Sequence, residues 1–157
     1  MKSIIIIPSR MASTRFPGKP MVKIDGIPMI QRVWELAIES NIGVVYVACS
    51  EKEVYDLIIS IGGIPILTNP DLPSGTDRIY SALKQLKNIS EIECVINLQG
   101  DMPLINPNII RNVIEPIQKN YDVGTLVTTL KEDELNNPNV TKAVVDWKND
   151  EIGEAVE

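Results

Sequence analysis

The 157-residue chain contains no histidine and only two cysteines, Cys49 and Cys94. The absence of imidazole excludes His-based metal sites, Ser-His and Cys-His nucleophile pairs and an imidazole general base. Two cysteines cannot form a four-Cys zinc site. Each stands in an apolar run and reads as a strand residue in a reducing compartment. No stretch reaches the ~18 apolar residues of a membrane span. The N-terminal run Ser3-Ile4-Ile5-Ile6-Ile7-Pro8 is too short for the core of a signal peptide, and no small-residue cleavage site follows it. A cytoplasmic protein without a membrane partner is expected. A net charge of −6 also lacks the basic excess needed to neutralise nucleic-acid phosphates, so no nucleic-acid partner is expected.

What is present is a globular composition, 44% hydrophobic and 23% charged, at a length that fits a single domain with a core of ordinary size. The charge is uneven. Met1 to Ile24 carries Lys2, Arg10, Arg15, Lys19 and Lys23 and no acidic residue, so the other 133 residues set 10 basic against 21 acidic side chains. A basic, Gly- and Pro-containing segment in an acidic chain points to a local anion site; a solvated basic loop is the alternative.

Ile4 to Ile7 is an uninterrupted β-branched run and reads as a buried parallel strand. A long loop, Ser9 to Gly26, follows. Pro28 is expected at the first position of a helix reaching about Ser40, with Ile30, Val33, Trp34 and Ala37 as its apolar stripe. Val44 to Cys49 is a second buried strand. Ser50 and Glu53 suggest a capping box for the next helix, whose stripe is Val54, Leu57, Ile58 and Ile61 and whose stop is Gly62-Gly63. Ile64 to Leu67 is a third strand, the loop Thr68 to Gly75 leads into a helix beginning near Thr76, and Cys94 to Leu98 is a fourth strand. Asn106-Pro107 starts a helix striped by Ile110, Val113, Ile114 and Ile117, and Val123 to Leu130 and Lys142 to Trp147 read as two more strands. This alternation predicts an α/β fold of three αβα layers around a mostly parallel sheet. Such sheets bind ligands beyond the carboxyl ends of their strands, where the loops after the first, third and fourth strands converge.

The first of these loops, Pro8-Ser9-Arg10-Met11-Ala12-Ser13-Thr14-Arg15-Phe16-Pro17-Gly18-Lys19-Pro20, has neither the GxGxxG nor the Walker A spacing. It combines cations, hydroxyls and backbone amides, the mixture a triphosphate needs: Arg grips phosphate oxygens in a fork, Lys acts as a point charge, and amides fill the remaining lone pairs. A surface loop whose Arg residues pair with acidic neighbours is the other reading. Asp101 stands just past the fourth strand, in Asn97-Leu98-Gln99-Gly100-Asp101. It suits a hard cation such as Mg²⁺, which takes one or two carboxylates plus substrate phosphates; an Asp in an ordinary turn is the alternative. In Ser74-Gly75-Thr76-Asp77-Arg78 the glycine lets a flat ligand approach the backbone, and Arg78 can fix an anion or the helix start. Equally, Ser74 or Thr76 can simply cap the helix.

Together and in this order, Pro8-Ser9-Arg10, Ser13-Thr14-Arg15, Pro17-Gly18-Lys19-Pro20, Ser74 to Arg78 and Asn97 to Asp101 resemble the 3-deoxy-manno-octulosonate cytidylyltransferase (CMP-Kdo synthetase) family. The resemblance runs over essentially the whole chain, to Lys142 to Trp147. It implies a nucleotide-diphospho-sugar transferase-like (Rossmann-like) fold and a Mg²⁺-dependent reaction. The anomeric hydroxyl of 3-deoxy-manno-octulosonate (Kdo) attacks the α-phosphorus of CTP, pyrophosphate leaves, and CMP-Kdo is made for lipopolysaccharide assembly. It implies Arg10, Arg15, Lys19 and Asp101 as catalytic residues, with Asp101 the metal ligand. It implies Pro8, Ser9, Arg10, Ser13, Lys19, Ser74, Gly75, Thr76, Arg78 and Gln99 as substrate-binding residues. Arg10, Arg15 and Lys19 would neutralise the triphosphate. Pro8, Ser9, Ser74, Gly75 and Arg78 would cradle cytosine and ribose, and Gln99 would face the sugar acid. The implied partners are CTP, Kdo and, in the full-length protein, a second copy. The chemistry agrees, since nucleotidyl transfer needs in-line positioning and charge neutralisation but no His.

The sequence departs from the family's pattern at Ser9, usually Ala, at Phe16, usually Leu, at Pro73, usually Gln, and at Met102, usually Glu. Pro73 and Met102 remove polar groups beside the site. Family members also continue well past Glu157, into a segment with a second metal-binding Asp and further sugar contacts, so the 157 residues are expected to be the N-terminal portion of one nucleotidyltransferase domain. A related sugar-acid nucleotidyltransferase and a truncated, non-catalytic CTP-binding domain are the alternatives. An amino-substituted Kdo analogue stays open as acceptor.

Overall fold

A strand that is apolar on both faces must lie between other strands and between two layers of helices. β1 (Ser3–Pro8) is such a strand, buried at all six residues. In the computed structural model, which describes residues 1–12 and 16–156, the chain divides into two compact units, Met1–Asn112 and Val113–Glu157.

In the first unit β1 pairs in parallel with β4 (Val44–Cys49), Ile4 opposite Val44, and with β6 (Cys94–Asn97), Ile4 opposite Val95. β5 (Ile64–Leu67) pairs in parallel with the outer side of β4, giving the order β5-β4-β1-β6. Because side chains alternate along a strand, β1 feeds both faces. Ile4 and Ile6 join Ala48 in a buried cluster with Ile79 and Ala82 of α3 (Gly75–Leu83). On the other face, Ile7 and Ile30 of α1 (Met29–Glu39) both lie within 3.6 Å of the point where a Cβ on Gly100 would stand. Trp34 of α1 and Ile58 of α2 (Lys52–Ser60) likewise meet over Gly63. The three αβα layers expected from the sequence are formed.

The helices start and stop for identifiable reasons. α1 buries Ile30, Val33 and Ala37, one face of the 3.6-residue period. α2 closes in a Schellman motif: Gly62, at φ +83, donates to the carbonyl of Ile59 at 3.0 Å, and Gly63 donates to that of Ile58 at 2.8 Å. The capping box expected at Ser50 is not formed. Glu51 is the N-cap and makes no capping hydrogen bond, because helix begins at Lys52 and the Ser50 hydroxyl donates instead to Glu51 Oε1. Pro28 lies at the N-cap of α1 rather than inside it, as the end of a small hairpin of β2 (Lys23–Ile24) and β3 (Ile27–Pro28). The two-residue loop Asp25-Gly26 has positive φ at both residues, which is why an Asp-Gly pair suits it.

The helix expected after Asn106-Pro107 is broken into α4 (Pro107–Ile110), a 3₁₀ turn at Arg111–Val113 and α5 (Ile114–Gln118). Pro116 lacks the N–H that would bond the carbonyl of Asn112, so the α-helical ladder cannot run through. In Val113–Glu157 the strand expected over Val123 to Leu130 is absent. Those residues have no regular structure, since a strand exists only through a partner's hydrogen bonds. Of Lys142 to Trp147 only β7 (Val145–Trp147) forms, paired antiparallel with β8 (Gly153–Ala155). Among the described residues no helix is long and apolar enough to cross a membrane.

Candidate functional site

Chain order runs β1, β4, β5 toward one edge and then returns to place β6 on the other side of β1. The carboxyl ends of β1 and β6 therefore diverge at a topological switch point, where open α/β sheets leave a crevice. A cavity of about 290 Å³ lies there. Pro8, Ser9 and Arg10 enter it from the end of β1, Lys19 and Pro20 from the loop beyond, Gly75 and Arg78 from the start of α3, and Gln99, Gly100 and Asp101 from the turn after β6. Two glycines make the close approach possible. A Cβ on Gly100 would stand 2.9 Å from the carbonyl oxygen of Pro8, and one on Gly75 would stand 3.3 Å from the Pro8 ring.

The charged groups differ in what they already hold. Lys19 Nζ donates to Asp101 Oδ2 at 2.6 Å, and both side chains are solvent-accessible, at 36% and 49%. Arg10 is exposed. Arg78, only 1% exposed, faces inward. Its Nη1 donates to Thr68 Oγ1 at 2.5 Å and to the carbonyl of Asn69 at 3.2 Å, and its Nη2 to the carbonyl of Pro70 at 3.3 Å. Burial lowers the Arg78 pKa, helped by the like charge of Arg10 and opposed by Glu51 and Cys49. Arg78 thus straps the loop after β5 to α3 while one edge of it lines the cavity. Beside it, burial and the Glu51 carboxylate push the Cys49 thiol up to about 11, so Cys49 is a neutral core residue.

Of the residues singled out in the sequence, Pro8, Ser9, Arg10, Lys19, Gly75, Arg78, Gln99 and Asp101 all line this cavity. Ser74 and Thr76 are not among the lining residues. Ser74 caps α3, its Oγ accepting from the Asp77 amide at 3.1 Å, and Thr76 lies in the first turn of that helix. Ser13 and Arg15 lie outside the described residues. Pro20 and Gly100 are lining residues that pattern reading did not select. Gly100 carried a signal, a glycine in the turn directly after a buried strand, whereas Pro20 carried none.

Among the described residues no group of three or more Asp, Glu, Cys or His side chains could enclose a metal ion. One partly exposed carboxylate, Asp101, faces the cavity. That donor set fits a hard cation that arrives with, and is largely coordinated by, phosphate oxygens and water, not a resident metal cage.

A family model described as cytidylyltransferase matches residues 4–154. The 3-deoxy-manno-octulosonate cytidylyltransferase of Paramagnetospirillum magneticum is 47% identical over 144 residues, which cover 90% of this chain and 58% of that protein. The enzyme of the same name from Parvibaculum lavamentivorans is 42% identical over 155 residues, covering 98% of this chain and 60% of its own. A solved structure of CMP:2-keto-3-deoxy-manno-octonic acid synthetase complexed with CTP superposes with a TM-score of 0.69 at 36% identity, over 76% of this chain and 48% of that one. The chain therefore spans about 60% of the length of the curated relatives it matches and shares the nucleotidyltransferase architecture.

Proposed function

This chain belongs to the cytidylyltransferase family, and from that membership we propose that it serves CMP transfer from CTP to Kdo, giving CMP-Kdo and pyrophosphate for lipopolysaccharide assembly. The observation that carries this reading is the convergence of Arg10, Lys19 and Asp101 on one cavity at the switch point of the sheet. The relatives' names supply the acceptor, and the CTP complex of a similar protein supplies the nucleotide. Residues 1–157 would act as one nucleotidyltransferase domain of a longer protein; a homodimer is the form the resemblance implies, and the cytoplasm is the expected compartment.

In the transfer, the anomeric oxygen of Kdo bonds to the α-phosphorus of CTP as the α–β bridging P–O bond breaks. The bond's electron pair leaves with pyrophosphate, and the hydroxyl proton passes to solvent. The task left to the protein is alignment and neutralisation of a polyanion. Arg10 and Lys19 would grip the phosphates, with Arg15 and Ser13 of the same loop assigned beside them. To do so Lys19 exchanges its Asp101 partner for phosphate oxygens. The absence of a Cβ at Gly75 would let the nucleoside lie against Pro8, and Gln99, whose Nε2 donates to Asn97 Oδ1 at 2.6 Å, would turn its carboxamide to the sugar acid. A Mg²⁺ ion held by Asp101 and the phosphates would neutralise charge and lower the pKa of the attacking hydroxyl.

The test is pyrophosphate release from CTP and Kdo with Mg²⁺. Release should need both substrates and fall by at least about 100-fold in Asp101→Asn. Because the chain spans about 60% of its relatives, binding of CTP without turnover is the second reading. It is favoured if this chain binds CTP but only a longer version of it releases pyrophosphate. Failure to bind CTP at all sinks both.

A further inference from the structure

The hydrogen bonds behind the cleft meet at a residue outside its lining. Thr68 stands directly after β5 and is only 8% exposed. Its amide and its hydroxyl both donate to the carbonyl of Cys49, the last residue of β4, at 2.8 and 3.0 Å. The single O–H of the side chain is thereby spent, and a lone pair of the same oxygen accepts from Arg78 Nη1 at 2.5 Å. Thr68 thus joins the ends of β4 and β5 to the first turn of α3. It is not among the residues that line the cavity.

This junction sets where the α3 wall of the cleft stands. Gly75 and Arg78 are three residues apart and share a face of the helix, and both reach the cavity, so any turn or slide of α3 moves them together. Across the cleft, Pro8 at the end of β1 pairs with Ala48, the neighbour of Cys49 in β4. The gap between Pro8 and Gly75, where an added Cβ would stand 3.3 Å from the Pro8 ring, is therefore fixed along a short path. Strand pairing holds β1 to β4, the Cys49 carbonyl holds β4 to Thr68, and Arg78 holds Thr68 to α3. The other two bonds of Arg78 go to the Asn69 and Pro70 carbonyls of the loop; of the three, the one to Thr68 leads on to the sheet. A buried hydroxyl bonded on both sides fixes geometry. We infer that Thr68 is a positioning residue for nucleotide binding, its hydroxyl holding Gly75 at the distance from Pro8 that admits the nucleoside; the inference rests on the CTP reading of this site.

Two substitutions separate the hydroxyl from the rest of the side chain. Thr68→Val keeps the shape and removes the hydroxyl, whereas Thr68→Ser keeps the hydroxyl and removes the methyl group. Titration calorimetry, with each variant well below its melting temperature, should show CTP and CMP bound about tenfold more weakly by Thr68→Val. Inorganic triphosphate, which Arg10 and Lys19 suffice to hold, should bind as before, and Thr68→Ser should bind all three ligands like the wild type. If Thr68→Val does not fold, Thr68→Ala takes its place, since its smaller side chain leaves room for a water between Arg78 and the Cys49 carbonyl. Unchanged CTP and CMP affinities without the hydroxyl, beside a wild type that binds both, overturn the positioning role and leave the CTP reading standing. Equal weakening of all three ligands, or the same loss in Thr68→Ser, overturns it as well, by assigning Thr68 to the fold at large. A wild type that binds triphosphate but neither CTP nor CMP overturns the positioning role and the CTP reading together, as does one that binds none of the three.

Discussion

Met1–Asn112 and Val113–Glu157 differ in how they dispose of the same kind of residue. Among the described residues, every buried hydrophobic side chain except Ile114 lies in the first unit. The second unit has its own apolar residues, including Val123, Leu126, Val127, Leu130 and Trp147, and all five are exposed, Val123 at 83%. The contrast lies in order, not in hydrophobicity. In the first unit β-branched runs are long enough to pair on both edges, and helices with one apolar face return over them. In the second, Val123 to Leu130 lie in no paired strand and Trp147 stands on the two-stranded ribbon β7–β8, so little converts their hydrophobicity into burial.

The contrast is open to direct attack. Ile7 is fully buried in the central strand, and Ile7→Ala should lower unfolding stability by about 2–5 kcal/mol. Val127→Ala, at an exposed position, should stay within about 0.5 kcal/mol. Equal effects in urea titrations would remove the distinction between the units. Arg78→Ala tests whether buried polar bonds matter as much as apolar burial in the first unit. It frees the Thr68–Pro70 loop from three hydrogen bonds and should cost roughly 2–4 kcal/mol, with the loop's amide exchange accelerated.

Cys49 gives the same unit a pH signature. Its thiol is raised from 9.0 to about 11 by burial first and Glu51 second. The folded form keeps the proton where the unfolded form has lost it. The stabilisation is thus complete below pH 9 and lost as pH rises through about 11, a fall of about 2–3 kcal/mol. Cys49→Ala should flatten that alkaline slope in denaturation curves recorded from pH 8 to 11. The smallest expected effect sharpens the comparison by cancelling it. The exposed i,i+4 pairs Lys52–Asp56 and Lys119–Glu115 lie in different units. Lys→Ala in either should cost about 0.3–0.5 kcal/mol, because a solvated pair does not sense the core beside it.

Much of the first unit was legible in the residues. Val44–Cys49 and Ile64–Leu67 form as read, and α1, α2 and α3 start or stop within a residue or two of the expected positions. Their signals are local: period-2 and period-3.6 patterns, and glycine or a cap at the ends. The hairpin at Asp25-Gly26 interrupts the long loop expected from Ser9 to Gly26, and its signal is the Asp-Gly turn pair itself. Past Asn106 the structure departs from local pattern for other reasons, a proline inside an apolar stripe and a valine-rich segment without a strand to pair with.

The sequence by itself determined the alternation of strands and helices, the basic first loop, and the ordered motifs from Pro8 to Asp101 that identify the family. It did not determine which of those motifs share a cavity or how each side chain is spent there. Lys19 and Asp101 are 82 residues apart and meet at 2.6 Å. Arg78, written like an anion-binding residue, turns inward to hold its own loop, and the Ser9 hydroxyl is buried without a hydrogen-bond partner among the described residues. Those outcomes depend on the order of strands in the sheet. That order is set by packing two apolar faces against helices, and no local periodicity encodes it.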